Sequence, residues 1–338
     1  MSTHNEKPIA TGQAEFSEAE KLELRKKHYN GTITERIDIH EGLARFRIRP
    51  DNGFSPFKAG QYVAVGLGNW ETRLPDSQDE KLEEKKFKKL TRRAYSISCP
   101  LLDQQKMVTV NEIDYLEFYI ALVKHAASPD AKAPSLTPRL FLMGDGDRVE
   151  VQKKIVGTYV LENIKPTDTV LMISTGTGEA PHNAMTTDLL SSGHVGNIIN
   201  VTTVRTRLDL GYLPEHEHLQ AAHPNYQYLS YTTREVENWD KTHPGYVGKQ
   251  YVQDLFSSGL LAEHAGDPLS PNNTHVFLCG NPSMIGYTPP GADPPATPGM
   301  LQVLKDKGFV EIDDHKNADQ KNSIDRDGPG TIRFEKYW

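Results

Sequence analysis

A chain of 338 residues with a net charge of −7, a mean hydropathy of −0.58 and two cysteines has room for about two domains and the composition of an ordinary globular protein. It has no apolar run of membrane-spanning length, and residues 1–16 lack the apolar core of a secretion signal, so a cytoplasmic protein with no membrane span is expected. The acidic balance argues against generic nucleic-acid binding, and two distant cysteines, Cys99 and Cys279, are too few for an all-cysteine iron–sulfur cluster; no metal site is expected.

Residues 1–30 read as a tail and a short helix, opened by the capping pattern Ser17-Glu18-Ala19-Glu20 and running through Lys27. From Gly31 the pattern turns strand-like over 31–39, 43–49, 61–67, 94–98, 116–123 and 147–156, with Gly, Pro, Asn and Asp between the runs. Six such strands predict an antiparallel Greek-key β-barrel over 31–160. The charged stretch 71–90 interrupts it as a long insertion. From Lys81 to Arg93 there are seven Lys or Arg against two Glu, which makes a basic patch able to steer an acidic partner or simply a solvated face. Beyond Lys165-Pro166 the runs alternate: a strand over 169–174, a Gly turn, a helix over 181–191 and a strand over 197–204. This βαβ unit predicts a doubly wound parallel α/β domain over 161–338. Strands over 226–231 and 274–279, a helix over 247–257, a proline-rich loop over 286–299, a helix over 300–307, a polar loop over 313–330 and a strand over 331–337 complete the chain.

Four short motifs carry chemistry. In Arg93-Ala94-Tyr95-Ser96, strand alternation puts Arg93 and Tyr95 on one face and Ala94 and Ser96 on the other. A cation, a flat ring and a hydroxyl suit the pyrophosphate, ring and reactive edge of a flavin. Thr175-Gly176-Thr177-Gly178 lies between a strand and a helix, where glycines let backbone N–H groups approach a phosphate. Arg205 and Arg207 follow the next strand in place of the carboxylate that would select NAD, and so favour a 2′-phosphate, hence NADP. Cys279-Gly280-Asn281-Pro282 ends a strand, where open α/β sheets collect ligands. The terminal Glu335-Lys336-Tyr337-Trp338 offers an aromatic lid. Each motif alone is also compatible with an ordinary strand, turn, buried thiol or core contact.

In this order the motifs resemble those of ferredoxin–NADP reductases, in particular the bacterial type ending in an aromatic residue, from about Gly31 to Trp338. The resemblance implies an FAD-binding barrel domain, an NADP-binding α/β domain and an acidic redox partner, ferredoxin or flavodoxin. It implies that Arg93 holds the FAD pyrophosphate, Tyr95 stacks on the isoalloxazine and Ser96 faces its reactive edge. Phe118 and Tyr119 match a second flavin-facing strand, and Ser135, Leu136 and Thr137 open a segment that closes over the FAD phosphates. On the nucleotide side it assigns Thr175, Gly176, Thr177 and Gly178 to the pyrophosphate turn. Arg205, Arg207 and Arg234 fall to the 2′-phosphate and adenosine, and Cys279, Gly280, Asn281, Pro282 and Met284 to the nicotinamide loop. Tyr337 and Trp338 cover the flavin, with Ser96, Cys279, Glu335 and Trp338 nearest the chemistry. A monomer is expected. Glu179 and His182 depart from the small or apolar residue and the aromatic usual there, and an inward-pointing Glu179 would weaken phosphate binding. The alternatives are a reductase serving an oxygenase and, in a different class, a non-catalytic nucleotide-binding subunit.

Overall fold

The computed structural model describes residues 16–287, 297–312 and 328–336. Two compact units emerge: one from residues up to Ser55, Tyr62–Tyr95 and Asp114–Ile155, the other from Pro56–Gln61, Ser96–Ile113 and the chain from Val156 onward.

The first unit opens with α1 (Glu18–His28). Ser17 Oγ accepts from Glu20 N at 3.3 Å and the Glu20 carboxylate accepts from Ser17 N at 3.0 Å, a reciprocal cap that sets the first turn. Arg25, Lys26, Lys27 and His28 in the last turn complement the helix dipole. The helix buries no residue of its own and is pinned electrostatically: Arg25 donates to both oxygens of buried Glu71, and Tyr29 Oη donates to the same carboxylate at 2.8 Å.

The strands are β1 (Gly31–His40), β2 (Leu43–Pro50), β3 (Tyr62–Gly68), β4 (Leu90–Ser96), the ribbon β5 (Leu102–Asp103) with β6 (Lys106–Met107), β7 (Leu116–Ala121) and β8 (Arg148–Val151). Six form one sheet in the order β4-β3-β8-β1-β2-β7, and β8 returns from far along the chain to lie between β3 and β1. Its β1–β2, β2–β7, β1–β8 and β3–β8 pairs are antiparallel. Ile33, Phe46, Ile48, Val65, Leu116 and Phe118 supply its buried face. Strand β4 begins at Leu90, four residues before the strand predicted over 94–98, so all of Arg93-Ala94-Tyr95-Ser96 lies on it. The single turn α2 (Thr137–Leu140) follows β7, with Pro138 near its start.

The second unit is a parallel sheet. Its strands are β9 (Thr169–Thr175), β10 (Ile198–Val204), β11 (Tyr226–Thr232), β12 (Thr274–Gly280), β13 (Val310–Glu311) and β14 (Thr331–Lys336), ordered β11-β10-β9-β12-β14-β13. The chain moves outward from β9 to β10 and β11, then crosses back to β12 on the other side. The order reverses between β9 and β12, which is where ligands bind in such sheets. Strands β10 and β12 are buried throughout, as covered parallel strands require. The helices are α3 (Glu179–Ser191), α4 (Leu213–Ala222), α5 (Val236–Trp239), α6 (Val252–Ser258), α7 (Leu260–Ala265), α8 (Pro282–Ile285) and α9 (Met300–Asp306). The helix predicted over 247–257 starts only at Val252, because Gly248 takes a left-handed φ of +73° and breaks the run. Helix α4 was not predicted; it buries only His216 and Leu219, too few for an apolar stripe.

Candidate functional site

On the first unit, β4 presents Arg92, Arg93 and Ala94 to solvent, while Tyr95 is half-buried and Ser96 buried. Arg93 keeps its charge unspent: its one side-chain contact among the described residues is Nη1 donating to Arg92 O at 2.9 Å. Tyr95 meets Phe118 edge-on, with centroids 6.3 Å apart, so the two motifs expected to face one ligand do converge. Burial raises the Tyr95 hydroxyl above its ordinary value. Phe118 and Tyr119 are both buried in β7. Ser135 lies beside β4, its Oγ 2.7 Å from Thr91 Oγ1. Leu136 is buried, and Thr137 Oγ1 is tied to the backbone of Val123, accepting from its N and donating to its O, both at 3.1 Å. An exposed unpaired cation, a tyrosine edge and a hydroxyl-bearing segment on one side of β4 fit a diphosphate joined to a flat ring, as in FAD.

On the second unit, the carboxyl ends of β9 and β12 are drawn together by glycines. A Cβ on Gly178 would lie 2.3 Å from Cys279 O, and one on Gly280, at φ +125°, 2.4 Å from Thr175 Oγ1. Thr175 Oγ1 accepts from Asn281 N at 2.8 Å, and Asn281 Oδ1 accepts from Ser283 N at 2.8 Å to cap α8. Gly176, at φ +54°, has nothing within 4 Å of where its Cβ would be. The N-terminus of α3 has no side-chain cap. An open backbone turn at an uncapped helix start is a cradle that fits a pyrophosphate. Cys279 is fully buried and pairs in register with Ser174 on one side and Glu335 on the other. Pro282 opens α8, whereas Met284 is taken up by the hydrophobic core with Leu278 and Ile285.

Glu179 does not point at the turn. It is buried, and its Oε1 accepts from Tyr228 Oη of β11 at 2.6 Å and lies 3.0 Å from His216 Nε2 of α4. His216 Nδ1 in turn lies 2.6 Å from Tyr226 Oη, and Asn200 Nδ2 donates to that hydroxyl at 3.0 Å. Burial, first, and the Glu179 charge hold the Tyr228 hydroxyl well above its ordinary value, so it stays a donor. His182 lies 2.7 Å by Nε2 from Tyr159 Oη, and burial pushes its pKa down to about 3, leaving it neutral. Sequence reasoning missed this polar interior because its members are scattered over two strands, two helices and the loop that carries Tyr159.

Arg205 and Arg234 follow β10 and β11, which are neighbours in the sheet. Both are exposed, and neither has a carboxylate partner among the described residues. Arg207 differs: its guanidinium forms an ion pair with Glu237, lies 3.8 Å from Glu235, and its N donates to Glu235 at 2.7 Å. Tyr337 and Trp338 lie outside the described residues, as do parts of the loops 286–299 and 313–330.

A family model described as "Oxidoreductase NAD-binding domain" matches residues 172–289. The chain is 31% identical over 269 residues to the ferredoxin–NADP reductase of Pseudomonas aeruginosa, covering 75% of this chain and 86% of that one. It is 27% identical over 284 residues to the flavodoxin/ferredoxin–NADP reductase of Buchnera aphidicola, covering 84% and 89%. A crystal structure of a ferredoxin NADP+ reductase from Neisseria gonorrhoeae with bound FAD and NADP shares the fold, with a TM-score of 0.63 at 18% identity over 91% of this chain and 97% of that one.

Proposed function

The chain belongs to the ferredoxin–NADP reductase family, and from that premise we propose that it is an FAD-dependent oxidoreductase that exchanges a hydride with NADP(H) and single electrons with ferredoxin or flavodoxin. The observation that carries the nucleotide half is the pair of unpartnered arginines, Arg205 and Arg234, at adjacent strand ends. Two cations with no carboxylate beside them among the described residues suit a 2′-phosphate dianion and offer nothing specific to a ribose hydroxyl.

FAD, when bound, supplies the redox chemistry by taking up a hydride and releasing electrons singly. The chain's own residues bind and orient. Arg93 neutralises pyrophosphate charge, Tyr95 packs on the ring, and the Ser135–Thr137 segment closes over the phosphates. The Gly176–Gly178 turn and the start of α3 receive the NADP pyrophosphate. Thr175 and Asn281 hold the loop after Cys279 in place, and the β12–β14 register brings Glu335 beside Cys279 for hydrogen bonding near the nicotinamide. Glu179, paired inside the domain, leaves the phosphate cradle open.

The partner is an acidic redox protein. In the first unit a cleft of about 460 Å³ is lined by Lys27, His28, Arg92, Lys153 and Lys154, with Glu150 its one carboxylate. Glu150 is already engaged by Arg92 at 2.9 Å. In the stretch expected to dock the partner, Lys85 and Lys86 share Glu83 at 2.6 and 3.4 Å, so part of that charge is compensated. The cleft therefore joins the Lys81–Arg93 run as the docking surface.

No helix among the described residues is long and apolar enough to cross a membrane. Both cysteines are buried, and a cytoplasmic monomer completes the reading. The test is turnover: NADPH should drive reduction of a purified ferredoxin or flavodoxin through the protein. A protein that binds NADP but passes no electrons to either carrier would instead be an oxygenase-serving reductase or a non-catalytic nucleotide-binding subunit.

A further inference from the structure

The segment between β3 and β4 sends Glu80 inward, beside the buried Arg73 of the same segment. Glu80 has a side chain only 5% exposed, and its Oε2 lies 2.7 Å from Arg139 Nη2 and 3.2 Å from Arg73 Nη1. No N–H is aligned on that oxygen, so the contact is a charge pairing rather than a directed hydrogen bond. The directed hydrogen bonds of the two arginines go elsewhere. Arg73 Nη1 donates to Pro134 O at 2.8 Å, and Arg139 Nη1 donates to Ser135 O at 2.6 Å. Two guanidiniums thus grip consecutive carbonyls of one segment. Arg139 also reaches back to Asn69 O and Glu71 O, both at 3.2 Å, and Arg73 to Gln78 O at 2.7 Å.

Two buried cations this close repel each other, and burial opposes the charge of each. Burial is the largest influence pulling the Arg73 guanidinium below its ordinary value, and Glu80 is the main one opposing it. Glu80 is the only carboxylate in ion-pair contact with both arginines among the described residues. The gripped segment is the one that carries Ser135, whose Oγ meets Thr91 two residues before Arg93.

We propose that Glu80 is a flavin-positioning residue: by bridging Arg73 and Arg139 and offsetting one of their two charges it fixes Pro134–Ser135, and with them the segment that closes over the FAD phosphates. The proposal rests on the reading of Ser135–Thr137 as part of the FAD seat. It gives the insertion a role in cofactor retention.

The experiment uses the full-length holoenzyme and its Glu80→Gln and Glu80→Asp variants, with Glu83→Gln in the same insertion as a control. Flavin release is followed by fluorescence, and the deflavinated chains are titrated with FAD. Glu80→Gln should raise the FAD dissociation constant about tenfold or more and shrink the rise in Tm that FAD confers. Glu80→Asp, which keeps the charge on a shorter arm, should fall between it and the native chain, and Glu83→Gln should match the native chain. A purely structural role would lower the Tm of apo and holo forms equally and leave the FAD-induced rise intact; that result, or a folded Glu80→Gln with native FAD affinity, overturns the proposal. If Glu80→Gln does not fold, Glu80→Asp decides: weakened FAD binding supports the proposal and native affinity overturns it. A native chain that takes up no FAD would overturn the underlying site reading instead.

Discussion

Arg234 N donates to Arg205 O at 2.8 Å, joining the ends of two neighbouring parallel strands that each carry an arginine with no carboxylate partner among the described residues. Two cations carried on adjacent strand ends attract an anion between them. Arg205→Ala or Arg234→Ala should raise KM for NADPH roughly tenfold to a hundredfold, the loss expected of one charge-assisted contact of about 1.5–3 kcal/mol. KM for NADH should barely change. Steady-state kinetics with both nucleotides check this, and equal losses with both would remove these residues from 2′-phosphate recognition.

Arg207→Ala provides the contrast. Its guanidinium is already paired with Glu237 and its backbone with Glu235, so NADPH discrimination should change by less than about threefold, since an exposed ion pair contributes little. A loss as large as that of Arg205→Ala would mean that the pair opens when the nucleotide binds.

Glu179→Leu should act on stability rather than on nucleotide choice. It leaves Tyr228 Oη and one His216 nitrogen buried without their acceptor, at a cost of about 1–3 kcal/mol each. Thermal or denaturant unfolding should show the loss while KM for NADPH in the folded variant stays near native. A selective gain in NADPH affinity would mean that the carboxylate does reach the phosphate cradle.

His182 sets a pH dependence of known sign. Its pKa is depressed to about 3 in the folded protein against an ordinary 6.5, so below pH 6.5 the unfolded chain takes up a proton that the folded chain refuses. Stability should therefore fall as pH drops from 6.5 toward 3, by about 1.4 kcal/mol per pH unit for this one group. His194 and His275, displaced downward chiefly by burial, add in the same direction. Denaturant unfolding of His182→Phe at pH 7 and pH 5 should show a shallower acid loss than the native chain; an unchanged slope would place the linkage elsewhere.

The docking surface makes a kinetic prediction. Replacing Lys27, Lys153 and Lys154 with Gln should slow ferredoxin reduction severalfold at low salt and flatten its salt dependence, because exposed charges act through screened long-range fields. Reduction of a small neutral acceptor should be unaffected. Ferredoxin rates unchanged by the replacement would return the cleft to an ordinary solvated surface.

Much of this architecture was legible in the chain because its motifs are local. The capping box at Ser17, the buried run Thr169–Ser174 and the glycines at 176, 178 and 280 each announce their own geometry. What was not legible depends on long-range pairing. Nothing in the sequence separates Glu80, which turns inward, from Glu83, which stays at the surface with Lys85 and Lys86. Likewise Arg205 and Arg207 look alike two residues apart, and only the position of Glu235 and Glu237 after β11 distinguishes the free cation from the paired one. Glu179 looked like a hazard to phosphate binding because its acceptor role toward Tyr228 and His216 exists only once β11 and α4 are in place.

Hydride exchange between NADP(H) and a protein-bound FAD can be followed by anaerobic titration of the purified protein with NADPH while the visible spectrum is recorded. The flavin absorbance should bleach on NADPH addition, do so far less readily with NADH, and return when oxidised ferredoxin or flavodoxin is added. A protein that carries no flavin and takes up none, or a flavin that NADPH leaves oxidised, would contradict such exchange.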